Sequence, residues 1–154
     1  MYRIRKSFTF EAAHQLETAF TAGCHECIHG HSYTVEMYID AEILQQDQRM
    51  VIDFGELKPF KDMIMEMWDH GLLLHVNKKP HIQPLIDAGV LRASKVSFLE
   101  LQPTAEVLAR MIYGKLHDWL GTHLQMDRLK RGVFVSGIRV HETGTGWAEY
   151  FPGK

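Results

Sequence analysis

Three histidines frame the chemistry open to this chain. His29-Gly30-His31 places two imidazoles at i and i+2. On a strand such residues project from one face and can meet a single ion. Gly30 leaves the backbone room to turn closely around such a site. His14 ends the strand-like segment just before, the natural antiparallel neighbour, and so offers a third ligand from elsewhere in space. Three neutral imidazoles with an open fourth position are what a catalytic zinc ion needs. By itself an H-x-H pair is a weak motif, and exposed polar surface accounts for it as well.

Other residues could work beside that ion. Cys24 and Cys27 are the only cysteines. They sit too close to His29 and His31 for a closed Cys₂His₂ site, which needs about a dozen residues between its pairs. A thiolate near zinc and histidine could act as base or nucleophile, and an inert loop thiol is the alternative. Asp69-His70 closes a helical pattern. There a histidine is favoured as a cation, yet a carboxylate beside an imidazole also makes a proton relay. Glu142 precedes a Gly-rich turn, where a lone glutamate is usually solvated. Thr104-Ala105-Glu106 reads as a helix start, with Glu106 suited to the helix dipole. His25, His75, His81, His117, His123 and His141 have no spacing that compels a ligand role.

The frame that must position these groups is bounded by size and composition. A chain of 154 residues fits one domain over 1–154, large enough to bury a core. Apolar residues at 45% and charged residues at 23% are ordinary for a soluble protein, and ten histidines are the oddity. A net charge of −2 offers no whole-chain basic field for nucleic acid or acidic membranes. No window approaches the roughly 18 apolar residues of a membrane span, and the basic start has no apolar stretch behind it. Two cysteines three apart make no disulfide framework. The expected location is therefore the cytoplasm.

Periodicity predicts the elements. Phe8, Phe10, Ala12 and His14 share one parity in a strand over Ile4–His14, and a second strand runs from about His31 to Ala41. Leu16 to Cys27 is irregular. A helix starts after Phe54, with Leu57, Phe60, Met63, Ile64, Met67 and Trp68 at helical spacing, and ends near His70-Gly71. Pro80, Pro84 and Gly89 break residues Val76 to Leu101, which read as an inserted loop or short helix. A second long helix follows Pro103-Thr104, with Thr104 as its cap. Strands over Gly132–Glu142 and Gly146–Phe151 flank a hairpin turn. The predicted order is β-β-α-α-β-β, an α+β fold with two helices on one face of a four-stranded antiparallel sheet. Its two open edges invite closure by oligomerisation.

Taken together, these residues form an ordered set. Phe10-Glu11-Ala12-Ala13-His14, the cysteine just before His29-Gly30-His31-Ser32-Tyr33, and Val51-Ile52-Asp53-Phe54-Gly55-Glu56-Leu57-Lys58 come first. Trp68-Asp69-His70, Pro103-Thr104-Ala105-Glu106-Val107-Leu108-Ala109 and His141-Glu142-Thr143 follow. The set resembles the 6-pyruvoyl-tetrahydropterin synthase family, which includes the 6-carboxy-tetrahydropterin synthases of queuosine biosynthesis. The resemblance implies a tunnelling fold whose subunits close into a barrel, as a trimer or a hexamer of two stacked rings. It implies zinc on His14, His29 and His31, and a pterin site between subunits with Glu142 anchoring the 2-amino-pyrimidine edge. Thr104 and Glu106 match positions near that pocket. A cysteine would be the proton acceptor, with Asp69 and His70 as relay partners. The implied substrate is 7,8-dihydroneopterin triphosphate.

One short stretch departs from the family pattern. The resemblance places the cysteine four residues before His29, where this chain has His25. Cys24 lies five before and Cys27 two before, while Glu26 at three before looks like a variant that cleaves dihydroneopterin to 6-hydroxymethyl-dihydropterin for folate. Cys24 is the favoured proton acceptor and Glu26 the second candidate. Carboxy-tetrahydropterin formation is the leading outcome, with pyruvoyl and hydroxymethyl products as alternatives. A zinc-stabilised binding protein without catalysis is the reading from another class.

Overall fold

A computed structural model describes residues 1–46, 49–123 and 131–153. The long strands β1 (Tyr2–His14) and β2 (His29–Ala41) pair antiparallel, with Phe8 opposite Val35, Phe10 opposite Tyr33 and His14 opposite His29. Strand parity sorts their side chains. Phe8, Phe10, Ala12 and His14 on β1 and Tyr33, Val35, Met37 and Ile39 on β2 are buried on one face. Strands β5 (Phe134–His141) and β6 (Trp147–Tyr150) continue the sheet beyond β2, both antiparallel, as the predicted hairpin.

On the other side of β1 the sheet departs from expectation. Strand β3 (Gly71–His75) pairs parallel with the end of β1, and β4 (Val96–Leu99) pairs parallel with β3. The result is a six-stranded mixed sheet in the order β4-β3-β1-β2-β5-β6, not the predicted four-stranded antiparallel one. The physical reason lies in strand length. Leu72-Leu73-Leu74 is an apolar run, buried at Leu73 and Leu74, too short to show a period of two, and it closely follows a helix with which it merges in apolar pattern. The segment read as an inserted loop or short helix carries a short helix and, beyond that reading, β4.

Four α-helices occur among the described residues. They are the single turn α1 (Ala22–His25), α2 (Lys58–Trp68), α3 (Lys79–Asp87) and α4 (Ala105–His123). A 3-10 turn over Phe54–Leu57 leads into α2, and Asp53 caps it by accepting from the Gly55 N–H at 2.7 Å. Phe60, Ile64 and Trp68 of α2 and Leu108, Ile112, Leu116 and Leu120 of α4 pack on the apolar face of the sheet in one core. The two long helices therefore cover one face, as expected. Thr104 caps α4, its hydroxyl accepting from the Val107 N–H at 3.3 Å.

The opposite face is polar and charged. Arg3 reaches Asp40 through two hydrogen bonds of 2.7 and 2.8 Å, and the Ser136 hydroxyl adds a third at 3.1 Å. The guanidinium outweighs burial and holds the Asp40 carboxyl below the usual carboxylate range. A carboxyl depressed on folding stabilises the fold above its unfolded pKa, and that contribution disappears as pH falls through the folded value. Asp40→Asn is therefore expected to lose about 1–2 kcal/mol at pH 7, towards the lower side because Arg3 is half exposed. Urea denaturation checks this, with the gap between wild type and variant closing as the pH falls below about 3.9.

Candidate metal centre and its cleft

The paired ends of β1 and β2 bring the histidines together. His14, His29 and His31 each offer a ring nitrogen, and these atoms lie within 4.8 Å of one another. The Nε2 atoms of His14 and His29 are 3.0 Å apart. Backbone carbonyls set the orientation. His14 Nδ1 lies 2.8 Å from the Pro103 carbonyl oxygen, and His29 Nδ1 lies 3.2 Å from that of Cys27. A ring nitrogen facing a carbonyl carries its proton, so both Nε2 atoms keep a free lone pair aimed at the cluster.

Electrostatics favour the neutral rings that a metal needs. His14 is fully buried, and burial lowers its pKa more than the Pro103 carbonyl and the nearby Glu142 raise it. Burial also pulls His31 down, against the opposing charge of Glu142. His31 Nε2 is buried and has no hydrogen-bond partner. Buried polar atoms are rarely left so. A cation on the three imidazoles would satisfy it, and the donor set suits zinc. Tyr33, buried beneath the cluster, has its hydroxyl 3.2 Å from His14 Nδ1. One oxygen of Glu142 lies 3.6 Å from His14 Nε2.

The geometry agrees with the wider comparison. The sequence matches the 6-pyruvoyl tetrahydropterin synthase family over residues 3–153. The chain belongs to that family. Within it, the chain is similar to the 6-carboxy-5,6,7,8-tetrahydropterin synthase of Aquifex aeolicus, 32% identical over 97% of each chain. Two solved structures share the fold. One is an uncharacterised protein of Wolinella succinogenes, with a TM-score of 0.75 at 21% identity over 98% of each chain. The other is the Caenorhabditis elegans 6-pyruvoyl tetrahydropterin synthase, with a TM-score of 0.66 at 19% identity, covering 99% of this chain and 96% of that one.

The remaining predicted residues of this family member fall in three places. Asp69 and His70 sit against Glu11 near the end of β1, on the parity opposite His14. The Asp69 carboxylate accepts from the Glu11 N–H at 2.9 Å and lies 2.9 Å from His70 Nδ1, so His70 Nε2 faces outward as the free nitrogen. The Glu11 bond is the largest cause holding the Asp69 carboxyl below its ordinary value. His70 has φ +55°, a left-handed backbone that non-glycine residues adopt at some cost. Its N–H donates to the Glu11 carbonyl at 2.6 Å, which pins it there. An open cleft of about 400 Å³ beside His70 is lined by Glu11, Ala13, Gly30 and Ser32, on the face of the β1–β2 ladder opposite His14, and reaches His31 at its edge.

Cys24 and Glu26 do not line that cleft. Cys24 is half buried in the single turn α1, Cys27 is exposed, and Glu26 lies 3.3 Å from His25. Hydrogen bonds hold this loop in place. The Leu16 N–H donates to the Cys24 carbonyl at 3.0 Å, and the Gln15 amide donates to that of His25 at 2.6 Å. Glu17 and Gln102 then exchange two bonds of 2.9 Å, tying the loop to the segment whose Pro103 carbonyl orients His14. Thr104 sits at that junction, while Glu106 is exposed on the first turn of α4.

Sequence reasoning missed Tyr33 and the two carbonyls. Tyr33 was within reach, because it shares the parity of His31 two residues further along β2. Backbone carbonyls carry no residue signature.

Proposed function

We propose that this chain is a zinc-dependent lyase that converts 7,8-dihydroneopterin triphosphate to 6-carboxy-5,6,7,8-tetrahydropterin, with release of acetaldehyde and triphosphate, in queuosine biosynthesis. The observation that carries this reading is the His14–His29–His31 cluster, built around a buried His14, with its unpartnered His31 nitrogen, in a chain whose relative is a carboxy-tetrahydropterin synthase. The three histidines would hold zinc, which supplies Lewis acidity towards side-chain hydroxyls of the substrate.

The other roles belong to protein groups. The Glu142 carboxylate would accept paired hydrogen bonds from the 2-amino-pyrimidine edge of the pterin, next to the cluster. Thr104 and Glu106 would lie towards the pterin from the α4 start. Asp69 fixes the His70 tautomer, so His70 Nε2 can take and return a proton. Cys24 is the proposed proton acceptor, with Glu26 as second candidate. The working form is a cytoplasmic homo-oligomer, a trimer or hexamer, in which the open β4 and β6 edges are covered and the loop meets its pocket. Among the described residues no helix is long and apolar enough to cross a membrane.

A second reading has a specific support. Glu26 stands three residues before His29, and neither thiol joins the histidine cluster. That arrangement favours cleavage of dihydroneopterin to 6-hydroxymethyl-dihydropterin. One experiment separates the two. The zinc-loaded protein is incubated with dihydroneopterin triphosphate and, separately, with dihydroneopterin, and products are identified by mass spectrometry. Carboxypterin with acetaldehyde supports the first reading and hydroxymethylpterin the second. Turnover of neither, with zinc bound, sinks both. Under the first reading Cys24→Ala loses about 10²-fold or more in kcat while Glu26→Gln loses less than about tenfold, and the second reverses that order.

A further inference from the structure

A second concave site lies far from the histidines. A groove of about 280 Å³ opens between β1 and the Phe54–Leu57 turn. Its floor is apolar, with Phe8 and Met37 nearly fully buried. Lys6, Lys58 and Lys61 line it, and half-exposed Phe54 forms a wall with the Lys6 ammonium 5.5 Å from its ring centre. In the β1–β2 ladder Lys6 lies opposite Met37 and His14 opposite His29. At about 3.4 Å per residue, that stagger puts Lys6 roughly 27 Å along the strand from the metal cluster.

The charge at this groove is unbalanced. The chain carries a net charge of −2, yet three lysines line this groove, and among the described residues none of them makes an ion pair. Two acids of the adjoining turn are hydrogen-bonded to its backbone. Asp53 accepts from the Gly55 N–H, and Glu56 accepts from the Asp53 N–H at 3.3 Å. Lys58 and Lys61 are three apart on the first turns of α2, so they face the same way and repel each other. The start of that eleven-residue helix adds partial positive charge to the same spot. Like charges along a hollow, without an ion-pair partner among the described residues, suit an anion with several charged oxygens spread along its length.

We infer that the Lys6–Lys58–Lys61 groove binds a polyphosphate chain, separate from the histidine cluster of the same subunit. A chain of two or three phosphates offers charged oxygens to several of these lysines at once, which a single phosphate does less well. Two sources share this chemistry, free triphosphate and the triphosphate tail of a pterin ester docked from another subunit. Only the second source rests on the function proposed above.

Lysine footprinting tests the inference on the zinc-loaded protein. The chain is acetylated under limiting reagent with and without inorganic triphosphate, and separately with dihydroneopterin triphosphate. Modification at each lysine is then read by mass spectrometry. The expected result is at least fivefold slower labelling of Lys6, Lys58 and Lys61, with Lys79 and Lys115 unchanged. Protection by inorganic triphosphate identifies the free anion, and protection by the pterin ester alone identifies the substrate tail. Equal or absent protection across all five lysines with both probes overturns the inference. In direct titration by ³¹P NMR, Lys58→Ala/Lys61→Ala should weaken triphosphate binding at least tenfold while bound zinc stays stoichiometric. Unchanged binding in that variant also overturns it. Because zinc content and labelling are read without turnover, a failed groove is distinguishable from a failed active site.

Discussion

His31→Ala is expected to lower zinc affinity at least about 100-fold and to abolish turnover while leaving the fold intact. The asymmetry follows from where His31 sits. Its Nε2 has no protein partner, so its removal frees a buried polar atom and breaks no internal bond. His14→Ala should behave differently. Its ring is fully buried, and its loss strands the Pro103 carbonyl, at a cost of about 1–3 kcal/mol in addition to the lost metal. Competition with a chelating dye measures the affinity, and circular dichroism with urea melts measures the fold. His70→Ala supplies the contrast. It leaves the three ligands in place, so zinc should stay bound while turnover falls about 10²-fold or more. A zinc-stabilised binding protein would show the opposite pattern, with chelation unfolding the chain and His70→Ala silent. Retention of tight zinc in His31→Ala would refute the three-histidine centre outright.

The metal centre was more legible in the sequence than the sheet that carries it. His29 and His31 advertise themselves by a two-residue period, and His14 follows from strand parity, because a long half-buried strand writes its faces into alternate positions. The two long helices and the closing hairpin were legible for the same reason, having enough residues to show a period. Strands β3 and β4 were not. Five and four residues hold too few turns of any pattern, and their parallel partners lie far off in sequence. The segment 76–101, which carries no motif, earns its place through contacts. Lys78 lies 3.5 Å from Glu17, and His75, at the end of β3, lies 3.2 Å from it, so this part of the chain braces the loop that bears Cys24. The sequence does not choose between Cys24 and Glu26 because their loop is irregular and shows no period. The lysine groove was equally hidden. Lys6 and Lys58 are 52 residues apart and become neighbours only when α2 docks beside β1.

Trp68→Ala is expected to be the most damaging single change to the fold, and to reach the metal centre without touching it. The indole is fully buried at the end of α2. It lies 6.0 Å from the Phe10 ring, which stacks on Tyr33 at 5.0 Å, and the Tyr33 hydroxyl meets His14 Nδ1. A large-to-small change here removes buried surface and leaves a cavity, at about 3–5 kcal/mol. The same residue fixes the turn that presents His70. A Cβ on Gly71 would come within 2.7 Å of the Trp68 carbonyl, so the backbone of this turn is packed with no slack. Loss of the indole should therefore loosen both ends of the cleft, with zinc affinity and turnover falling together. Trp68→Phe is the control. The indole N–H has no hydrogen-bond partner, so phenylalanine gives up volume but no bond, and a cost nearer about 1–2 kcal/mol follows. Urea melts of the zinc-loaded variants measure both. A Trp68→Ala protein that melts less steeply but keeps wild-type zinc affinity would show that the aromatic stack supports the fold without holding His14 in register.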